Sequence, residues 1–276
     1  MKASESGRVN GSTVDRSTVI IKFGLSAIAV LAFIWCAPSV AAHTSVYKQV
    51  YPLSSGGKFT LDNVNGSVHV DGWDREEVEV QAIKTSADGN DDDIEKVSIE
   101  VNAHPMEVAV HTRYPHGGGG EVAVEYRVRV PYRVLLADVQ TVNGSVSVRG
   151  VAATGDLRSV NGNVEVVDSS GRFSAHTTNG DIQLDLRKLA DGDPMLLETV
   201  NGSVVLKLPN DAHAQLHANA MNGDFYSELP VASKYAYGRI FSGELGSGGG
   251  DINMRTVNGA IRLAMGRPST WKEPIP

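Results

Sequence analysis

Few residues in this sequence have the types and spacing that catalysis or metal binding needs. His213 and His217 are four apart, a separation that lets two imidazoles share a metal on a helix. No Glu follows His213, as a zinc-protease helix requires, and the surrounding pattern is that of a strand, where four residues span about 13 Å. Two outward-facing histidines and no metal are expected. Asp88, Asp91, Asp92, Asp93 and Glu95 form an acidic run beside Gly89. Carboxylate clusters hold Ca²⁺, yet this spacing fits neither an EF-hand loop nor the Gly-rich nonapeptide repeat, so the run reads as a solvated loop. His116-Gly117-Gly118-Gly119-Gly120 has the glycine content of an oxyanion loop but comes without a G-x-S-x-G nucleophile elbow. No phosphate-binding loop occurs. Carboxylate pairs for glycoside cleavage leave no sequence signature. The long segments 86–120 and 228–250 are where such a site would sit. Platforms for sugar stacking are sparse: past residue 42 the tryptophans are Trp73 and Trp271. The residues thus predict a non-enzymatic protein with no catalytic residues, no cofactor and no metal. A carbohydrate-active envelope enzyme is the competing reading.

Composition narrows the class. The 276 residues include 29 Gly without an every-third-residue spacing, which excludes collagen. A net charge of −7 argues against nucleic acid, whose phosphates call for Lys and Arg. The single cysteine, Cys36, excludes intramolecular disulfides and Cys-rich zinc or iron–sulfur sites. Residues 1–22 are polar and carry Lys2, Arg8, Arg16 and Lys22, whereas Phe23–Ala42 has no charge. A basic start, an apolar run and small residues at Ser39-Val40-Ala41-Ala42 predict an apolar helix within residues 1–42, serving as signal peptide or uncleaved anchor. Either form exports residues 43–276 to the periplasm or cell surface, tethered to the inner membrane if Phe23–Ala42 remains as a membrane anchor. Bulky Trp35 stands where a lipobox has Gly or Ala, so lipidation at Cys36 is not expected. The exported part carries 21 Lys and Arg against 30 Asp and Glu, which discourages adsorption to anionic lipid.

The informative feature is a repeat. Seven Asn-Gly pairs recur in similar surroundings: Asn65-Gly66, Asn143-Gly144, Asn161-Gly162, Asn179-Gly180, Asn201-Gly202, Asn222-Gly223 and Asn258-Gly259. In the middle of the chain they return about every 20 residues. Asn-Gly between apolar runs is ordinarily a hairpin signal. Here a two-residue hairpin loop would pair Val142 with Ser145, and Val160 with Asn163, mixing apolar and polar on one face. Counting from each Asn as zero, −1, +3 and +5 are apolar (Val142, Val146 and Val148, for example). A second apolar set lies at −4 and often −6, as in Leu61 and Phe59. The two sets differ in parity, so a phase slip is expected between −4 and −1, where Thr141, Ser159, Thr177, Thr199 and Thr256 sit; a slip of that kind marks a corner or bulge. The pattern predicts an all-β fold: a β-solenoid of roughly 20-residue, two-strand coils with stacked inward valines and outward Asn and Thr ladders. The glycines then serve close backbone approach rather than ligand binding.

The flanks are less regular. Residues 45–131 alternate cleanly around Val97–Val101 and Val122–Val130 and suggest an antiparallel sheet continuous with the solenoid, covering an open edge. Residues 228–250 read as an irregular insertion. The domain is expected over 43–267, with a loose tail at 268–276.

The recurring V-N-G-[SND]-[VI]-x-[VL] unit, the opening stretch Asn65-Gly66-Ser67-Val68-His69-Val70-Asp71-Gly72-Trp73-Asp74 and Val130-Pro131 together resemble the bacterial putative-adhesin family of β-strand repeat proteins, DUF4097. The resemblance covers roughly residues 45–265. It implies the repeat fold and an envelope role in adhesion, in protein or glycan interaction, or in structure. It transfers no catalytic residues. The partner expected is an unidentified envelope protein or glycan, with end-to-end self-association as a further reading.

Overall fold

A computed structural model describes residues 43–87, 91–115, 122–192, 194–237 and 239–267, without the side chains of 236 and 237. The expected export helix at 1–42 with Cys36, Asp88 and Gly89, the His116–Gly120 stretch and the 268–276 tail with Trp271 lie outside the described residues.

The chain forms β1 (Thr44–Pro52), β2 (Lys58–Asp62), β3 (Val68–Trp73), β4 (Glu77–Ser86), the short helix α1 (Asp91–Lys96), β5 (Ser98–His104), β6 (Glu107–Arg113) and β7 (Val122–Pro131). The repeats follow as β8 (Arg133–Asn143), β9 (Val146–Arg149), β10 (Ala152–Asn161), β11 (Val164–Asn179), β12 (Ile182–Leu189), β13 (Met195–Asn201), β14 (Val204–Leu208) and β15 (Ala214–Asn222). Last come β16 (Phe225–Ser227), β17 (Val231–Tyr237), β18 (Ile240–Leu245), β19 (Asp251–Asn258) and β20 (Ile261–Met265).

These strands stack as coils with two layers. Upstream of each Asn-Gly the order is β5–β6–β2–β8–β10–β11–β13–β19–β15–β18–β17. Downstream it is β1–β4–β7–β3–β9–β11–β12–β14–β20–β16. The long β11 passes from one layer to the other, so a single hydrogen-bonded network contains both. The repeat strands pair in parallel and in register, Asn143 to Asn161 to Asn179 to Asn201 to Asn258. This is the solenoid that the repeat predicts.

The core lies between the layers. Residues at +3 and +5 (Val146, Val148, Val164, Val166, Ile182, Leu184, Val204, Leu206, Ile261, Leu263) are fully buried, as are Phe59, Leu157, Phe173, Ala175 and Leu197 from −6 and −4. Each such Val, Leu or Phe contributes about 1.5–3 kcal/mol by leaving water. Gly155 is the exception that completes the packing: a Cβ there would come within 2.8 Å of the Phe173 ring.

One expectation is overturned. Position −1 does not belong to the inward set: Val64, Val142, Val160, Val200 and Met221 are 37–51% exposed. The inward run is instead −6, −4, −2, ending on buried Thr141, Ser159, Thr177, Thr199 and Thr256. The phase slips across the Asn-Gly itself, where −1 and 0 both face out because the chain turns there.

A second departure concerns order. Spacing alone sets Asn222 beside Asn201. In the fold, β19 lies between β13 and β15, so the last coils stack as 201, 258, 222. The supposedly irregular 228–250 segment is the cause. It forms the antiparallel pair β17–β18, which lies against β15 and carries the chain back for β19 to pair on the other side. At the opposite end β5 pairs with β6, β4 with β7 and β1 with β4, all antiparallel. Three of the four layer ends are therefore antiparallel pairs, and the fourth is the three-residue parallel strand β16 against β20, a short edge of the kind that limits coil-on-coil association.

Candidate functional site

The Asn-Gly edge is built from four aligned rows. Side chain to side chain, Asn143 Nδ2 donates to Asn65 Oδ1, Asn161 to Asn143, Asn179 to Asn161, Asn201 to Asn179, Asn258 to Asn201 and Asn222 to Asn258, at 2.8–2.9 Å. All six bonds point the same way, as in amide ladders of stacked β structure. The glycines stack backbone on backbone: a Cβ on Gly66, Gly144, Gly162, Gly180, Gly202, Gly259 or Gly223 would lie 1.9–2.3 Å from a carbonyl oxygen of the neighbouring strand. Behind them, Thr141, Ser159, Thr177, Thr199 and Thr256 donate their hydroxyls to the carbonyls of Gly66, Gly144, Gly162, Gly180 and Gly202 at 2.8–2.9 Å. Asn63 closes that row, donating to Val124 O at 3.0 Å and accepting from Thr112 Oγ1, also at 3.0 Å. Tyr126 hydrogen-bonds to the same Thr112, and burial pushes its phenol up to about 12. Sequence reasoning missed the fourth row. Side-chain oxygens at +2 (Ser67, Ser145, Asn163, Asp181, Ser203) accept from the +2 backbone N–H of the adjacent coil. Ser, Asn or Asp at +2 in six of the seven repeats was the available signal. These rows satisfy the polar groups of a tight corner, and all seven repeat Asn-Gly pairs take part in them.

The other sequence candidates fall apart in space. His213 precedes β15 and His217 lies on it; both are exposed, bonded to Ser247 and Ser242 respectively. Asp91, Asp92 and Asp93 open α1, where Asp93 pairs with Lys96 at 2.7 Å. Among the described residues no group of three or more His, Cys, Asp or Glu is arranged to hold a metal. The glycine run 246–250 is partly explained by packing: a Cβ on Gly250 would lie 2.9 Å from the Arg172 guanidinium. Buried Arg172 itself donates to Ala190 O and Asp251 O, tying together segments far apart in sequence.

Concave surface lies elsewhere. Among the described residues the three larger grooves follow the coils without lining from 86–120 or 228–250, and a small fourth, about 100 Å³, lies between residues 217–219 and 240–242. The largest, about 620 Å³, runs along the corner opposite the Asn ladder and is lined by Gly56, Tyr132, Arg133, Val134, Leu135, Ala152, Ala153, Thr154, Ser170, Gly171, Arg187, Lys188 and Ala190. Small residues make its floor; a Cβ on Gly171 would lie 1.9 Å from Ala153 O. Three cations stand over that floor. Arg187 is fixed by Asp168, with Nε at 3.1 Å and Nη2 at 2.5 Å from Oδ1. Asp168 sits at φ +53°, in the left-handed region that Asp tolerates better than most. Its carboxyl is held below the usual range, first by the Arg187 hydrogen bond and then by the charges of Arg187, Arg267 and Arg149, against the effect of burial.

The second groove, about 410 Å³, follows the exposed −1 valines beside Asp62, Gln140, Arg158, His176 and Glu198. The third, about 280 Å³, holds Asp156, Arg172 and Ser174. Between them a bulge in β8 sets Asp138 beside Arg158, whose Nη1 is 3.8 Å away, while Nη2 reaches Asp156 at 2.5 Å. Burial pushes the Asp138 carboxyl up; Arg158 opposes this, and Asp156 and Asp62 reinforce it.

The profile of the Toastrack DUF4097 family matches residues 40–264. No curated protein matches the sequence. Among solved structures, a "putative cell adhesion protein" from Clostridium sporogenes is 11% identical, covering 80% of this chain and 100% of its own, with a TM-score of 0.46. A "putative adhesin" from Bacteroides fragilis is also 11% identical, covering 79% and 97%, with a TM-score of 0.41.

Proposed function

This chain belongs to the Toastrack DUF4097 family, and from that premise we propose that it is an exported, non-enzymatic binding module that holds an anionic glycan of the cell envelope in the 620 Å³ groove. One observation carries the reading. In a protein of net charge −7, the largest groove gathers Arg133, Arg187 and Lys188 around an open floor of small and apolar residues beside Tyr132. Its volume is that of an ordinary ligand site, and its length along five stacked coils suits an extended polymer. Cations here would draw a carboxylate- or phosphate-bearing chain by long-range attraction. Export rests on the uncharged Phe23–Ala42 run and its basic approach; the destination is the periplasm or the cell surface. The described parts of 86–120 and 228–250 are mostly strands at the ends of the stack, and the groove among them that 228–250 helps to line is about 100 Å³, which weighs against the enzyme reading.

Calorimetric titration of the protein with an anionic wall glycan and with its neutralised derivative tests the binding half. Salt-sensitive binding of the anionic form, lost in Lys188→Glu combined with Arg133→Glu, is the expected result. No heat with either polymer overturns it. Cell fractionation tests export: protein retained in the cytoplasm would refute that half separately.

A further inference from the structure

The seven Asn-Gly pairs share a sequence but not a chemical environment. Asn-Gly can attack itself. The Gly backbone nitrogen bonds to the Asn side-chain carbon Cγ, the Cγ–Nδ2 bond breaks and ammonia leaves. Water then opens the cyclic imide to aspartate or isoaspartate, with no oxidation or reduction. The reaction needs an available Gly N–H, an Asn side chain free to swing toward it, and stabilisation of the negative charge that develops on Oδ1.

Five pairs are held out of this reaction. The N–H groups of Gly66, Gly144, Gly162, Gly180 and Gly202 donate to the Asn carbonyl of the next coil at 2.8–3.0 Å. Side chains in the ladder's interior are bonded on both sides. Asn258 is gripped on both sides as well, by Asn201 and Asn222.

Asn222 is not held in this way. It is the end rung beyond Asn258, bonded to another Asn side chain on one side alone. Outside the strand pairings no backbone hydrogen bond among the described residues uses the Gly223 N–H; the same holds for Gly259, but Asn258 is gripped on both sides. Arg239 reaches over the rung: its Nη1 donates to the Met221 carbonyl and lies 3.4 Å from Asn222 Oδ1. That places a cation where the oxyanion forms. We propose that Asn222 is a site of spontaneous hydrolytic deamidation, promoted by Arg239, while the register of the ladder protects the other rungs. The product carboxylate gives up the bond to Asn258 and faces Arg239 instead. The end coil thereby exchanges an amide rung for an ion pair and gains a negative charge with age.

Peptide mapping by mass spectrometry, on full-length folded protein incubated in mildly alkaline buffer, follows each Asn-Gly as its amide is replaced by hydroxyl. Among the seven repeat pairs Asn222 is expected to convert first, on the order of tenfold ahead of Asn161 and Asn179, which react only when the coil opens. Arg239→Leu should slow Asn222 by about tenfold, less than the loss seen for a buried oxyanion donor, and Arg239→Lys should retain part of the rate. Conversion in urea should proceed at similar rates at all the pairs, which shows that the fold and not the flanking sequence sets the order. Equal rates in the folded protein, or Asn161 leading Asn222, overturn the proposal. An Arg239→Leu protein that remains folded by circular dichroism and converts at the original rate overturns the part played by Arg239. If Arg239→Leu fails to fold, Arg239→Lys decides that part alone.

Discussion

Asn258 Nδ2 donates to Asn201 Oδ1 at 2.8 Å across 57 residues, while Asn222, closer in sequence to Asn201, lies one coil further out. The late strand β19 enters between two earlier ones because β17–β18 first turns the chain back along β15. The amide ladder stays unbroken through that rearrangement. Corner register, and not chain order, therefore dictates which strands meet.

The glycine stack is the tightest constraint in the corner. Gly162→Ala would set a methyl 2.1 Å from Gly144 O, and because that atom is backbone, two coils must separate. A loss of about 2–4 kcal/mol is expected, within the range for overpacking and backbone strain combined. Gly56→Ala is the control: it is strained by φ +80° but has open space around it, and should cost about 1–2 kcal/mol. Urea midpoints at constant m-value measure both. Equal losses would refute steric stacking as the cause.

The hydroxyl row can be removed without changing shape. Thr199→Val takes away the 2.9 Å donation to Gly180 O and leaves a buried carbonyl short of a partner, at a cost of about 1–3 kcal/mol. Ala220, at the equivalent place in the last coil, has no hydroxyl to give. Ala220→Thr is therefore expected to recover stability if its oxygen reaches Gly259. Thermal unfolding of both variants decides whether the row stabilises each corner it serves.

Asp138 predicts a pH dependence. Burial raises its folded pKa above the unfolded value, so the native state binds the proton more tightly. Stability is then lost as pH rises through the window between the two values, and the deficit persists above it. Asp138→Asn should raise the melting temperature at about pH 7 and leave it unchanged at about pH 3. A variant destabilised at neutral pH would show that attraction to Arg158 outweighs desolvation.

Much of this protein could be read from its residues, because solenoid coils repeat the same local problem. Inward residues at +3, +5, −4 and −6 follow from period-two alternation, and the recurring glycine announces a close approach that a Cβ would block. The −1 valines misled the reading, because apolar identity is taken to mean burial and at these corners it does not. Their exposure depends on where the backbone turns, which alternation cannot locate when two consecutive residues both face outward.

What the sequence by itself determined was the all-β class, the coil length and the identity of the stacked core, since those depend on patterns within some 20 residues. The tertiary structure alone decided the order of the last coils, the hydroxyl acceptors behind the glycines and the gathering of Arg133, Arg187 and Lys188 in one groove. Each of these joins residues from different coils, and the pairing energy that selects among registers is spread over the whole stack. No local window contains it.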